Sequence, residues 1–413
     1  MFDDTILGSG ERLRLRGTWL GELIHAYFDE LAGKGYSAAT FRWYIRKLLQ
    51  FSEFLSQRGV EDVRNVANHI EPFLASVRIT PVQLEIWRCT IRRFIGFLQR
   101  TGRVPMVETP EPAGPFEDVI AEHIQFLREH RGICAEAAVN VRTFCRAFAN
   151  HLANQGVTNL RSLSPAIIHE FLTLDGGRYS RKSMSGRCSA LRGFLRHLFR
   201  RGITRVDLSP AVVAPRLYKH EGCPRFIPEA QIRAVLSVVD RATRVGRRDY
   251  AMILLLATYG LRGIEVIRLT LDDVDWRNSG LRIAARKAGN TTFYPLTAEV
   301  GEAILAYLRN GRPRSSLRQL FLSVKAPFLP LIYTAALGIQ VRKYFKLANI
   351  QVDRPGTHTM RYSCAQRLLN RAMPLKLIGD FLGHRRPEST QRYTKIAIEP
   401  LREVALGDGE DLL

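Results

Sequence analysis

Residues 23–60 read LIHAYFDELAGKGYSAATFRWYIRKLLQFSEFLSQRGV, and residues 119–157 read VIAEHIQFLREHRGICAEAAVNVRTFCRAFANHLANQGV. Ile24, Phe28 and Leu31 match Ile120, Ile124 and Leu127 at an offset of 96, and Gly35, Leu55 and Gly59 match Gly132, Leu152 and Gly156 at 97. Further on, Ile91, Phe94, Leu98 and Gly102 match Leu191, Phe194, Leu198 and Gly202 at 100. So small a drift over some 80 residues marks two copies of one module. Within each copy the apolar residues recur at helical spacing, and glycines close the first and last helices. Alternating β-branched runs are few, so the first half of the chain is predicted to be all-α.

Pro105–Pro115 (PMVETPEPAGP) links the copies, and Pro210, Pro215, Pro224 and Pro228 break any helix near a second boundary. Beyond it the pattern changes. Pro228–Val239 and Arg248–Gly260 read as helices, and Leu281–Ala285 and Thr292–Leu296 as short strands around the turn Lys287–Asn290, with helices resuming at Ala298. The expected order is a tail at 1–15, a helical module at 16–104, a linker at 105–115, a second module at 116–204 and a linker at 205–227. A mixed α/β domain with a small antiparallel sheet follows at 228–398, then a tail at 399–413.

Apolar residues form 46% of the 413 and charged residues 24%, which excludes wholesale disorder. The 61 Lys+Arg against 39 Asp+Glu give a net charge of +22, and an excess that large in a folded chain points to a polyanionic partner. The longest apolar run, Tyr250–Leu261, has 12 residues against the roughly 20 of a membrane span and reads as a core helix. The first residues carry no signal-peptide pattern. Cys89, Cys134, Cys145, Cys188, Cys223 and Cys364 are scattered without a C-x-x-C pair, which suits a reducing compartment and argues against a zinc site or disulfide framework. The basic residues cluster: Ser180–Arg201 holds Arg181, Lys182, Arg187, Arg192, Arg196, Arg200 and Arg201 with no acidic residue, while Phe194 and Leu198 keep core spacing. One helical face packs and the other is cationic, as nucleic-acid binding requires.

The second half contains, in order, Gly260-Leu261-Arg262-Gly263-Ile264-Glu265, Lys287, His358-Thr359-Met360-Arg361, Leu382-Gly383-His384 and, nine residues after that histidine, Tyr393. His358 and Arg361 stand i, i+3 on one helical face, with Pro355-Gly356-Thr357 supplying a turn and an N-cap ahead of them. Arg262 and Glu265 share the same spacing. Six residues in this order and spacing (Arg262, Lys287, His358, Arg361, His384 and Tyr393) resemble the tyrosine recombinase (phage integrase) family, over roughly Phe226–Leu406.

The resemblance implies an enzyme that cuts and rejoins DNA through a 3′-phosphotyrosine, with no ATP, metal or other cofactor. Phosphoryl transfer of this kind is mainly positioning and electrostatic stabilisation. Two guanidiniums suit the non-bridging oxygens because they stay charged and bind bidentately. Arg262 and Arg361 take that role, with Glu265 in support. Carried over in the same way, Tyr393 is the nucleophile, His358 assists its proton transfer, His384 donates to the scissile phosphate, and Lys287 is general acid for the leaving 5′ oxygen. The turn RKAGN departs from the family's usual Gly-Lys-Gly and leaves Arg286 as a competing cation. Tyr362 and Cys364 are further small departures.

The fold implied is mainly α: two helical, SAM-like DNA-binding modules of the core-binding type, then the catalytic domain. Most members carry one such module; the copy at 116–204 is the expected DNA clamp, and the one at 16–104 is of arm- or core-binding type. Arg181, Lys182, Arg187, Arg192, Arg196, Arg286, Arg385 and Arg386 are the expected DNA contacts. The partners implied are double-stranded DNA with specific recombination sites and a homotetramer, or a mixed tetramer with related recombinases, with Glu399–Leu413 docking on a neighbouring protomer. The expected setting is the bacterial cytoplasm, at the nucleoid, and the expected task is the movement or integration of a mobile element. Resolution of chromosome or plasmid dimers, a type IB topoisomerase and a DNA-binding regulator with a vestigial site are the competing readings.

Overall fold

A computed structural model describes residues 7–105, 114–217, 225–284, 291–384 and 390. Packing divides the chain into two compact units, Val107–Glu221 and the pair Met1–Met106 with Gly222–Leu413.

In the first module, α1 (Ser9–Gly17), α2 (Gly21–Gly33), α3 (Ala38–Gln57), α4 (Ile70–Ser76) and α5 (Pro81–Arg100) surround one core. Local chemistry sets the starts. Ser37 caps α3 by accepting from Thr40 N at 3.4 Å, while Thr80, Pro81 and Gln83 make a capping box with proline at the first helical position of α5. Leu7 and Leu15 are buried in this core, which corrects the expected tail at 1–15: the segment belongs to the module because its leucines cover α2 and α3.

The second module has four helices where the first has five, with none that corresponds to α1 among the described residues. Its helices are α6 (Glu117–Arg131), α7 (Ala135–Asn154), α8 (Pro165–Gly176) and α9 (Arg181–Arg200). The helices α3, α5, α7 and α9 each have 20 residues. Gly59 and Gly156, paired in the sequence repeat, follow α3 and α7 with φ of 67° and 72°, a left-handed conformation that glycine adopts without steric cost. Ile24, Leu55, Phe94 and Leu98 are buried in one core, as are Ile120, Leu152, Phe194 and Leu198 in the other. The boundary expected at 204 falls later. Leu208 and Val212 lie in the module's core, and Arg192 Nε and Nη2 donate to the Val212 carbonyl at 3.1 and 2.8 Å, so the proline-bearing strap stays packed on α9.

In the C-terminal domain α10 (Glu229–Ser237), α11 (Arg244–Tyr259), α12 (Gly263–Arg268), α13 (Ala298–Asn310), α14 (Thr334–Leu347), α15 (Thr357–Asn370) and α16 (Leu375–Leu382) enclose the largest core. The apolar run becomes the middle of α11, buried from Ala251 to Ala257. This helix starts one turn earlier than expected because the Thr243 hydroxyl accepts from Gly246 N at 3.0 Å. The sheet is antiparallel in the order β1 (Val274–Asp275), β2 (Gly280–Ile283), β3 (Thr292–Pro295), with Leu281 opposite both Val274 and Tyr294. The sequence reading found β2 and β3 and missed β1, whose two residues lie in a polar stretch without periodicity. No helix among the described residues is long and apolar enough to cross a membrane.

Candidate active site

Three helix ends meet at the candidate site. α11 terminates at Gly260, with φ of 60°, where a Cβ would lie 2.6 Å from Leu382 Cδ2 and 3.2 Å from Cys364. Only a glycine lets the end of α11 approach α15 and α16 this closely. Two residues on, Arg262 is the N-cap of α12, and Glu265 grips it twice: Oε2 accepts from Arg262 N at 2.8 Å and Oε1 from Nη1 at 2.7 Å. Glu265 is buried, so its carboxylate acts as a fixed orienting group. The second guanidinium nitrogen, Nη2, donates to the Gly383 carbonyl at 3.1 Å.

Arg361 comes from the second turn of α15 and is buried at 3% exposure. Its Nη1 donates to Gly260 O at 2.6 Å and its Nη2 to Leu382 O at 2.7 Å. Both are helix-end carbonyls, where cations are favoured. Arg262 and Arg361, 99 positions apart in the chain, thus converge on adjacent carbonyls of one turn. That turn ends α16 with backbone bonds from Gly383 N to Asp380 O and from His384 N to Gly379 O. Arg367 continues the pattern by donating to Ala257 O and Thr258 O, both at 3.0 Å.

His358 is exposed in the first turn of α15, its ring centroid 6.1 Å from that of Tyr362. Within the expected Pro355-Gly356-Thr357 stretch, Gly356 is the N-cap and Thr357 the first helical residue, and the Thr357 side chain lies against Gly263 at the start of α12. Cys364 is buried, which pushes its thiol pKa up. His384 is half-buried, and its Nδ1 lies 2.8 Å from Thr390 Oγ1. Lys287, Arg286, Arg385, Arg386 and Tyr393 lie outside the described residues, as does the segment Glu399–Leu413. The strand that follows Lys287, β3, is anchored: Tyr294 OH donates to Phe381 O, and Tyr259 OH donates to Pro295 O at 2.8 Å.

The sequence reading missed Thr390. It stands three residues before Tyr393 and six after His384 in a Pro-Glu-Ser-Thr stretch, and nothing in that pattern marks it.

The cationic helix α9 is placed as follows. Ser180 caps it, and Arg181 and Lys182 sit exposed in its first turn with no acidic residue there. Positive charge at a helix N-terminus is unfavourable by itself and is relieved by an anion. Arg187 lies over the rings of Tyr179 and Phe144 at 3.9 and 4.3 Å, and Arg196 Nε donates to Ser209 Oγ at 3.2 Å. Arg192 and Arg196 meet neutral backbone and hydroxyl groups in these contacts. At the end of the helix, Arg201 pairs with Glu122 at 2.6 Å. The matching helix α5 differs: Arg88 pairs with Glu71 and Glu85, Arg92 with Glu71, and Arg100 with Glu30.

Two arginines are thus oriented by a buried carboxylate and by helix-end carbonyls, and both reach the turn that leads into His384. Residues 225–399 match the model of the phage integrase family. The putative integrase/recombinase y4rA of Sinorhizobium fredii is 31% identical over 384 residues, covering 93% of this chain and 93% of that protein. The tyrosine recombinase XerD of Yersinia pestis is 28% identical over 69% of this chain and 95% of its own. Among solved structures, a lambda integrase tetramer bound to a Holliday junction aligns with a TM-score of 0.55 at 15% identity, covering 74% of this chain and 86% of that one, a likeness of fold. The chain belongs to the phage integrase family of tyrosine recombinases. It is a site-specific recombinase that cuts and rejoins DNA through a phosphotyrosine.

Proposed function

We propose that Arg262 and Arg361 hold the scissile phosphate of double-stranded DNA while the Tyr393 hydroxyl attacks phosphorus. The P–O5′ bond breaks, Lys287 gives its proton to the leaving 5′ oxygen, and His358 takes the tyrosine proton. His384 donates to a non-bridging oxygen, and Glu265 orients Arg262. The product is a 3′-phosphotyrosine and a free 5′-hydroxyl. The bond energy stays in the covalent intermediate, so the reverse attack by a 5′-hydroxyl rejoins a strand. The observation that carries this reading is the convergence of both guanidiniums on the turn that presents His384.

The module at 116–204 grips the DNA backbone through α9, with Arg181, Lys182, Arg187, Arg192 and Arg196 supplying charge and Arg286, Arg385 and Arg386 adding to it from the catalytic domain. The module at 16–104 contributes less charge to the DNA, since Arg88, Arg92 and Arg100 of α5 are neutralised by carboxylates. Strand exchange runs in a tetramer on two specific sites. The full-length likeness to y4rA, beside a likeness to XerD over only 69% of this chain, supports a role in integrating or moving a mobile element rather than in resolving chromosome dimers. The test is recombination between two target sites on one plasmid. Tyr393→Phe should abolish it with DNA affinity nearly unchanged. Relaxation of plasmid lacking a target site would favour a topoisomerase, and binding without cleavage would favour a regulator.

A further inference from the structure

Thr390 is 5% exposed. It is seated against α16 at Gly379, where a Cβ would lie 2.8 Å from the threonine Oγ1 and 3.7 Å from its Cβ. The same Oγ1 lies 2.8 Å from His384 Nδ1. A side chain this enclosed has few rotamers, so the histidine ring is held from behind by a fixed hydroxyl. We propose that Thr390 is a positioning residue for strand cleavage. Its hydroxyl donates to Nδ1, which places the ring proton on Nε2 and aims that N–H at the scissile phosphate. A histidine's second ring nitrogen decides which tautomer the working nitrogen presents. Thr390 also lies three residues before Tyr393 in the sequence. Gly379 is part of the device, because any larger residue would push the hydroxyl off its mark.

This proposal rests on the reading that His384 donates to the phosphate and Tyr393 attacks. Single-turnover cleavage of a nicked target duplex tests it in wild type, Thr390→Val, Thr390→Ser and Gly379→Ala, with DNA affinity and melting temperature measured alongside. Valine keeps the shape and removes the hydroxyl. The expected result is a cleavage rate lowered about tenfold, the worth of one hydrogen bond, with affinity unchanged and melting lowered by no more than about 2–4 °C. Serine should restore most of the rate, and Gly379→Ala should reproduce the valine defect. In a His384→Gln background Thr390→Val should add less than about twofold, since the two act as one unit. Imidazole 15N shifts of the unmutated protein, assigned by loss of the signal in His384→Gln, should report the Nε2–H tautomer. Wild-type cleavage by Thr390→Val, a valine defect undiminished without His384, or an Nδ1–H tautomer would each overturn the proposal. Tyr393→Phe, run in parallel, separates the two readings: an adduct surviving in that variant refutes the nucleophile assignment, whereas its loss beside full activity in Thr390→Val refutes only the role of Thr390.

Discussion

Replacing Arg361 by lysine keeps the charge and removes the fork. In the wild type, Nη1 and Nη2 satisfy Gly260 O at 2.6 Å and Leu382 O at 2.7 Å, the terminal carbonyls of α11 and α16. A single ammonium on a flexible stem cannot reproduce that planar pair of donors, and at 3% exposure water does not substitute. One charge-assisted hydrogen bond is then lost at a buried carbonyl, a cost of about 2 kcal/mol. For a domain of this size each kcal/mol moves the midpoint by about 2–4 °C, so the catalytic domain should melt about 4–8 °C lower. The same change frees the turn that carries His384 and loosens the proposed phosphate clamp, so cleavage of a nicked duplex should slow by about 10²–10³. Scanning calorimetry and single-turnover adduct formation read the two effects on one protein preparation. A lysine variant that melts within about 1 °C of wild type and cleaves at its rate would refute the reasoning that the forked contact holds the site together.

Other expectations follow from particular contacts. Glu265→Gln keeps one acceptor for Arg262 and loses the carboxylate charge, so adduct formation should fall about tenfold while DNA affinity, measured by titration, holds or rises slightly. Removing Lys182 should lower the slope of log affinity against log salt by about 1, whereas removing Arg88, paired with Glu71 and Glu85, should leave that slope unchanged. His123 is buried with no hydrogen-bond partner among the described residues on either ring nitrogen; desolvation, with His197 at 5.0 Å, lowers its pKa to about 4. Glu122, Arg200 and Arg201 are charged groups acting on His197 of this pair. The unfolded chain therefore binds the proton that the folded chain refuses between pH 6.5 and about 4, so stability is full above that window and is lost as pH falls through it, by up to about 3 kcal/mol. Melting curves across that range should show the loss, and His123→Phe should flatten it.

Much of this architecture was legible because it rests on periodicity and on glycine. The repeat placed Ile24 with Ile120 and Phe94 with Phe194, and all four are core residues. The run at Tyr250–Leu261 announced α11 for the same reason. The i, i+3 spacing of Arg262 and Glu265 carried their contact, because a helical turn delivers it locally. What the sequence hid is tertiary. Leu7 and Leu15 looked like part of a polar tail, since two leucines make no period, yet they close a core. Nothing local shows that the strap at Val212 is held by Arg192, a residue read only as a DNA contact. The pairing of α5 arginines with Glu71 and Glu30 likewise depends on other helices, so the two modules looked more alike in sequence than their surfaces are. Thr390 escaped notice because its role comes from its distance to His384 and from the missing side chain at Gly379.

The central claim is that the phenolic oxygen of Tyr393 becomes bonded to DNA at a 3′ phosphate. A nicked duplex that loses its short 5′-hydroxyl fragment after cleavage traps that bond. Digestion of the trapped complex after glutamate residues yields the peptide Ser389–Glu403, since the Glu399–Pro400 bond resists cleavage, and its mass and fragmentation locate the nucleotide. The account predicts a nucleotide on Tyr393, linked through the 3′ phosphate. A nucleotide on any other residue, or bound DNA that never becomes covalent, would contradict it.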